Sequence, residues 1–153
     1  MKSFTQYLSE IFSVSSSKKA NTDYHPDLEQ ANDENVIYHH SSNGKRIRTH
    51  LSSISAGHDF TGNQMRKIPD HVDRNNVWEV DFTVNGKWDK GESAGEFPSD
   101  VTKKVFDHLN HFVNRAKDYY GAPHLVYTTA NEKKHRIYQG AARRLGVQAT
   151  NLY

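Results

Sequence analysis

Residues 77–84, Val-Trp-Glu-Val-Asp-Phe-Thr-Val, constrain this chain more than any other stretch. Trp78, Val80, Phe82 and Val84 fall on one face of an extended segment, and Glu79, Asp81 and Thr83 on the other. That period of two is the mark of a half-buried β-strand. Asn85-Gly86 ends the run with a dipeptide suited to a tight turn. The period then changes. Val101, Val105, Leu109, Phe112 and Ala116 recur at helical spacing, from a cap at Ser99 or Asp100 to about Tyr119, with Gly121 and Pro123 closing the helix. His124 to Thr129 reads as a short strand. Asn131 caps a second helix with Ile137, Ala141 and Leu145 inward, Gly146 stops it, and Val147 to Tyr153 supplies a final edge strand. Strands alternating with helices predict an α/β fold, with helices packed on a sheet.

Upstream, Asn35 to His40 is a β-rich run, and Asn43-Gly44 is the dipeptide a type I′ hairpin turn prefers. Ile47, Thr49 and Leu51 alternate with Arg46, Arg48 and His50, an apolar face and a basic face on the returning strand. Residues 55–75, with Gly57, Gly62 and Pro69, read as a long loop. The folded domain is therefore expected over 35–153. Only 35% of the chain is hydrophobic, but two Trp, eight Tyr and seven Phe supply large buried areas per residue. No stretch approaches the about 20 apolar residues of a membrane span. The absence of cysteine removes disulfides, thiolate metal sites and Cys nucleophiles together.

At the N-terminus, Phe4, Tyr7, Leu8, Ile11 and Phe12 follow the spacing of one apolar helical face, predicting an amphipathic helix over 1–12. Residues 13–34 are Ser-rich and then polar, with Pro26, and are expected as a linker. The opening Met-Lys-Ser-Phe-Thr-Gln-Tyr-Leu-Ser-Glu resembles the capsid-targeting sequence of large tailed phages. In that family a prohead protease cuts after a Leu/Ile-x-Glu triplet. Leu8-Ser9-Glu10 matches it and makes Glu10 the candidate processing site. The resemblance implies a virion or host-cytoplasmic location and phage virion proteins as partners. An alternative is a helix packed on its own domain.

Residues 76–153 resemble the GCN5-related N-acetyltransferase fold, in which a long central strand meets a phosphate-cradling loop and helix, followed by strand, helix and strand. The resemblance implies acetyl-CoA as cofactor, held at Gly91 and Gly95, and Tyr138 as general acid near the thiolate. The chain departs from the family's Gln/Arg-x-x-Gly-x-Gly/Ala motif. Counted from Lys90, the glycine positions hold Ser93 and Gly95. Glu92, Glu96 and Asp100 also crowd the place of an anion. At about 4 Å and an effective dielectric near 20, each like-charge contact costs about 4 kcal/mol. The interval from Tyr138 to Gly146 is longer than the family's, and a buried tyrosine with a bonded hydroxyl is the competing reading. No cofactor is therefore expected unless the enzyme reading holds.

Glu79 and Asp81 are candidate bases, or a solvated sheet face. Ten histidines raise a metal site, but His108 and His111 at i, i+3 and adjacent His39 and His40 supply no third ligand by spacing. No metal is expected, and His108 and His111 are placed in solvent. Lys133, Lys134, Arg136, Arg143 and Arg144 make the last helix basic, with Arg46 and Arg48 as a second cluster. They are nucleic-acid-contact candidates or a solvated face. The net charge supports only a mild basic lean. Of +2 in all, residues 1–40 contribute −3, so the remainder carries +5. Three functions remain open: a virion-associated protein with a catalytically degenerate acetyltransferase-like domain in a binding or structural role, an active N-acetyltransferase, and an inhibitor of a bacterial defence protein.

Overall fold

The computed structural model describes residues 23–42, 44–56, 60–85 and 99–153. The expected targeting helix with Glu10, the linker before Asp23, and Gly91 and Gly95 lie outside the described residues. Six strands form one mixed sheet in chain order: β1 (Leu28–Ala31), β2 (Asn35–Ser42), β3 (Lys45–Ser53), β4 (Val77–Val84), β5 (His124–Tyr127) and β6 (Ala149–Asn151). Strands β1 to β4 pair antiparallel, while β4–β5 and β5–β6 pair parallel. The parallel pairs are where helices intervene: α2 (Ser99–Tyr119) joins β4 to β5, and α3 (Glu132–Leu145) joins β5 to β6. A parallel pair cannot be closed by a tight turn, so each needs such a crossover.

The sequence signals account for most boundaries. Ser42 pairs Lys45 across a two-residue connection ending in Gly44 at φ +76°, the left-handed geometry that Gly tolerates without cost. The Asn131 side chain accepts the Lys134 N–H at 2.9 Å to start α3, and Gly146 at φ +70° ends it. The α2 stripe Val101, Val105, Leu109, Phe112 and Ala116 is buried against Val36, Tyr38, Ile47, Leu51, Trp78, Val80 and Phe82. Both long helices therefore cover one face of the sheet.

Two expectations change. Strand β1 lies inside the stretch read as linker. Its polar sequence shows no alternation, and it is held by β2 together with the Asn32 side chain, which accepts the N–H groups of Glu34 and Asn35 in the turn. The 55–75 loop carries a short helix, α1 (Gly62–Arg66), started by a reciprocal Thr61–Gln64 capping box. With Ile68, Met65 and Val72 this segment covers Val77, Val126 and Leu152 on the second face.

Candidate functional site

Strand β4 runs to Val84, but β5 pairs with it only at Val77, Trp78 and Glu79. Beyond Glu79 the β4 edge opens, and α3 fills the gap. The Lys134 ammonium donates to Asp81 Oδ1 at 2.9 Å and to the Phe82 carbonyl at 3.2 Å, and sits 4.7 Å above the Phe82 ring. It thus satisfies a strand carbonyl that sheet pairing leaves unmade. The Tyr138 hydroxyl donates to the same Asp81 oxygen at 3.5 Å. Burial raises the Asp81 carboxyl, and the Lys134 charge pulls back against it. Burial, then the Asp81 charge, holds the Tyr138 hydroxyl well above its usual range.

These contacts correct one assignment. Lys134 is 4% exposed and ion-paired, so it does not belong with the surface cations. Lys133, Arg136, Arg143 and Arg144 do lie at exposed positions on α3. Tyr138 is 1% exposed and packs between Phe82 and Tyr127, with ring centroids 5.7 and 4.5 Å away. A general acid must reach its substrate. With its hydroxyl turned to Asp81, Tyr138 behaves as a packed core tyrosine.

A second polar cluster joins the segment just before β1 to α2. His108 Nε2–H donates to Asp27 Oδ2 at 2.9 Å, and the Thr49 hydroxyl faces His108 Nδ1 at 2.8 Å. His40 Nδ1 reaches Asp27 Oδ1 at 3.1 Å, and Lys104 lies 3.4 Å from Asp27 Oδ2. His111 Nδ1 shares a 2.7 Å hydrogen bond with the Tyr38 hydroxyl. Nearby, Asp23 receives the buried Arg115 at 2.8 Å. His108 and His111 therefore face the domain, not solvent. The spacing carried that signal, because His108 stands three residues after Val105 and four before Phe112 on the buried stripe. His25 and Asp27 could not be found this way, since nothing in a polar segment announces that it docks.

Burial works to raise the Asp27 carboxyl, but hydrogen bonds from His108 and His40 and the Lys104 charge outweigh it and hold it at about 2. Burial lowers His108 to about 4 against the pull of Asp27. Burial, with the Arg115 charge, lowers His111 to about 4. Thr49, His108 and Asp27 form a hydroxyl–imidazole–carboxylate series, the order of a nucleophilic relay. Thr49 and His108 are both 0% exposed, so no substrate carbonyl reaches the hydroxyl.

Ligand atoms of His25, Asp27 and Asp107 lie within 4.8 Å of one another, spacing compatible with an ion. The histidine tautomer argues otherwise. His25 Nδ1 accepts the Asp27 backbone N–H at 3.0 Å, so the neutral ring carries its proton on Nε2, which meets Asp107 Oδ2 at 2.8 Å. A ligating histidine needs the reverse arrangement, with its other nitrogen donating. Lys104 also bridges the two carboxylates, at 3.4 and 3.5 Å. The arrangement is a latch that pins residues 23–31 to α2. Comparison of the chain with protein-family models, curated proteins and solved structures finds no match.

Proposed function

We propose that this protein is a virion-associated component of a tailed phage whose domain, related in element order to N-acetyltransferases, serves a non-catalytic binding or structural role. The observation that carries the non-catalytic part is the seating of Lys134. Its ammonium occupies the opening between β4 and β5, bonded to Asp81 and the Phe82 carbonyl. The tyrosine expected to act as general acid is turned onto that same carboxylate. The missing glycine at Ser93 and the acids Glu92 and Glu96 argue in the same direction. Virion association rests on the resemblance of residues 1–10.

Two measurements test this reading. Protein sequencing of purified particles is expected to find the chain beginning at Ile11, after cleavage at Glu10. Its absence from particles would move the protein to the host cytoplasm, where inhibition of a host protein is the better account. Thermal melting with millimolar acetyl-CoA is expected to show no shift. A ligand at 100 times its dissociation constant stabilises by about 2.7 kcal/mol, so a bound cofactor is readily seen. A clear shift with acetyl transfer slowed by Tyr138→Phe would establish the enzyme instead.

A further inference from the structure

Helices α2 and α3 leave a groove between them on the side away from the sheet. Its volume is about 230 Å³, and its floor is Phe106, Ile137, Gly140 and Ala141. Arg136 and Arg144 line it from positions four residues before and after Gly140, so all three share one helical face. The Arg144 guanidinium lies over the Phe106 ring, 5.7 Å from its centroid, and covers that face of the floor. Lys133 and Arg143 are exposed on the same helix, whose lone carboxylate is Glu132, 3.4 Å from Arg136 on the surface. Asp100, at the start of α2, is paired with Lys45.

Gly140 is the informative residue. A glycine inside a helix is costly relative to alanine, and nothing in the fold requires it here. A Cβ built at Gly140 meets no atom within 4 Å. The absent side chain therefore relieves no clash with the described residues; it leaves the groove floor open.

We propose that this groove binds single-stranded nucleic acid, one base taking the place of the Arg144 guanidinium over Phe106 as Arg144 turns onto a backbone phosphate, with further phosphates on Arg136 and neighbouring cations. This deepens the binding role proposed above and rests on it. An aromatic floor offers any base a π-face to stack on, and guanidiniums at both sides of the floor supply the phosphate contacts. A duplex, whose bases are already stacked, would use the cations but not the floor.

The test is fluorescence anisotropy of the full chain with labelled dT20 and a 20-bp duplex. Three phosphate contacts on a single strand give a log–log salt slope near −2, roughly a 20-fold loss of affinity between about 50 and 200 mM salt. Arg136→Gln with Arg144→Gln is expected to flatten that slope. Phe106→Leu, which keeps the core contact apolar, is expected to weaken dT20 roughly fivefold or more while leaving the duplex unchanged. Gly140→Glu places a helix-favouring residue in open space, so it is expected to hold or raise the melting temperature while weakening dT20. That pairing separates groove occupancy from misfolding. No dT20 binding at low salt, or binding indifferent to these variants, would overturn the proposal. So would equal binding of duplex and dT20 with no effect of Phe106→Leu. Capture of a polyglutamate peptide in place of dT20, with the same variant pattern, would reassign the groove to an acidic protein segment. None of these results depends on acetyl-CoA, whose melting shift tests the non-catalytic reading separately.

Discussion

Asp27 and His108 are 81 residues apart in sequence and 2.9 Å apart in the fold, carboxylate oxygen to imidazole Nε2. The pair ties the residue just before the first described strand to the middle of the longest described helix. His108 is wholly buried, and its second nitrogen meets Thr49. Asp27 also gathers His40 and Lys104. One carboxylate therefore gathers groups from β2 and α2 directly, and Thr49 of β3 through His108.

Replacing Asp27 by alanine leaves the buried His108 donor without its acceptor and Lys104 without one of its carboxylates. An orphaned buried donor costs about 1–3 kcal/mol, and breaking a charged contact adds to that. Asp27→Ala is expected to lower unfolding free energy by about 2–3 kcal/mol in urea titration, with the slope unchanged. A loss under about 0.5 kcal/mol would mean the latch is ornamental.

The same cluster sets an acid limb. His108 and His111 are held at about 4 in the fold against 6.5 in the unfolded chain. A depressed histidine favours the neutral folded form, so its contribution is complete above about pH 6.5 and is lost as pH falls towards 4. Asp27, held at about 2, keeps its own contribution through that window and loses it only below about pH 4. With up to two protons taken up on unfolding, stability is expected to fall by at most about 2.7 kcal/mol per pH unit between those limits. Melting temperatures from pH 4.5 to 8 check this. His108→Gln should make the limb shallower, and an unchanged limb would place the titration elsewhere.

Truncation gives a different reading from the one the polar composition invites. Removing residues 1–34 takes away β1, the Asp23–Arg115 ion pair and the Asp27 contacts. The truncated chain is expected to melt at a clearly lower temperature and with less cooperativity. A midpoint equal to that of the full chain would show that residues 23–34 contribute nothing to folding.

At the open β4 edge, Lys134→Met strands the Asp81 carboxylate beside Phe82 and Tyr138 and is expected to cost about 2–3 kcal/mol. Tyr138→Phe removes only a 3.5 Å hydrogen bond and is expected to cost under about 1 kcal/mol. Combining Lys134→Met with Asp81→Leu should recover much of the first loss, because the pair is then replaced by apolar contact. A double variant as unstable as the two single changes summed would show that the ion pair is not the relevant unit.

Local chemistry was enough to read much of this domain from its residues. The alternation of Trp78, Val80 and Phe82, the α2 stripe from Val101 to Ala116, and the Asn131 and Gly146 caps each act within a few residues, so they can be seen in sequence. The hairpin at Gly44 and the burial of Tyr138 were legible for the same reason. Tertiary structure decided the rest. Leu28-Glu29-Gln30-Ala31 carries no strand signature of its own; it is a strand because β2 offers an edge and Asp27 finds His108. Lys134 reads as one more surface cation until β5 stops short of Phe82 and leaves a carbonyl for its ammonium. The polar contacts that decide both cases, Asp27 with His108 and Lys134 with the Phe82 carbonyl, span 81 and 52 residues, and a polar side chain's role depends on which partner the fold brings within hydrogen-bonding distance.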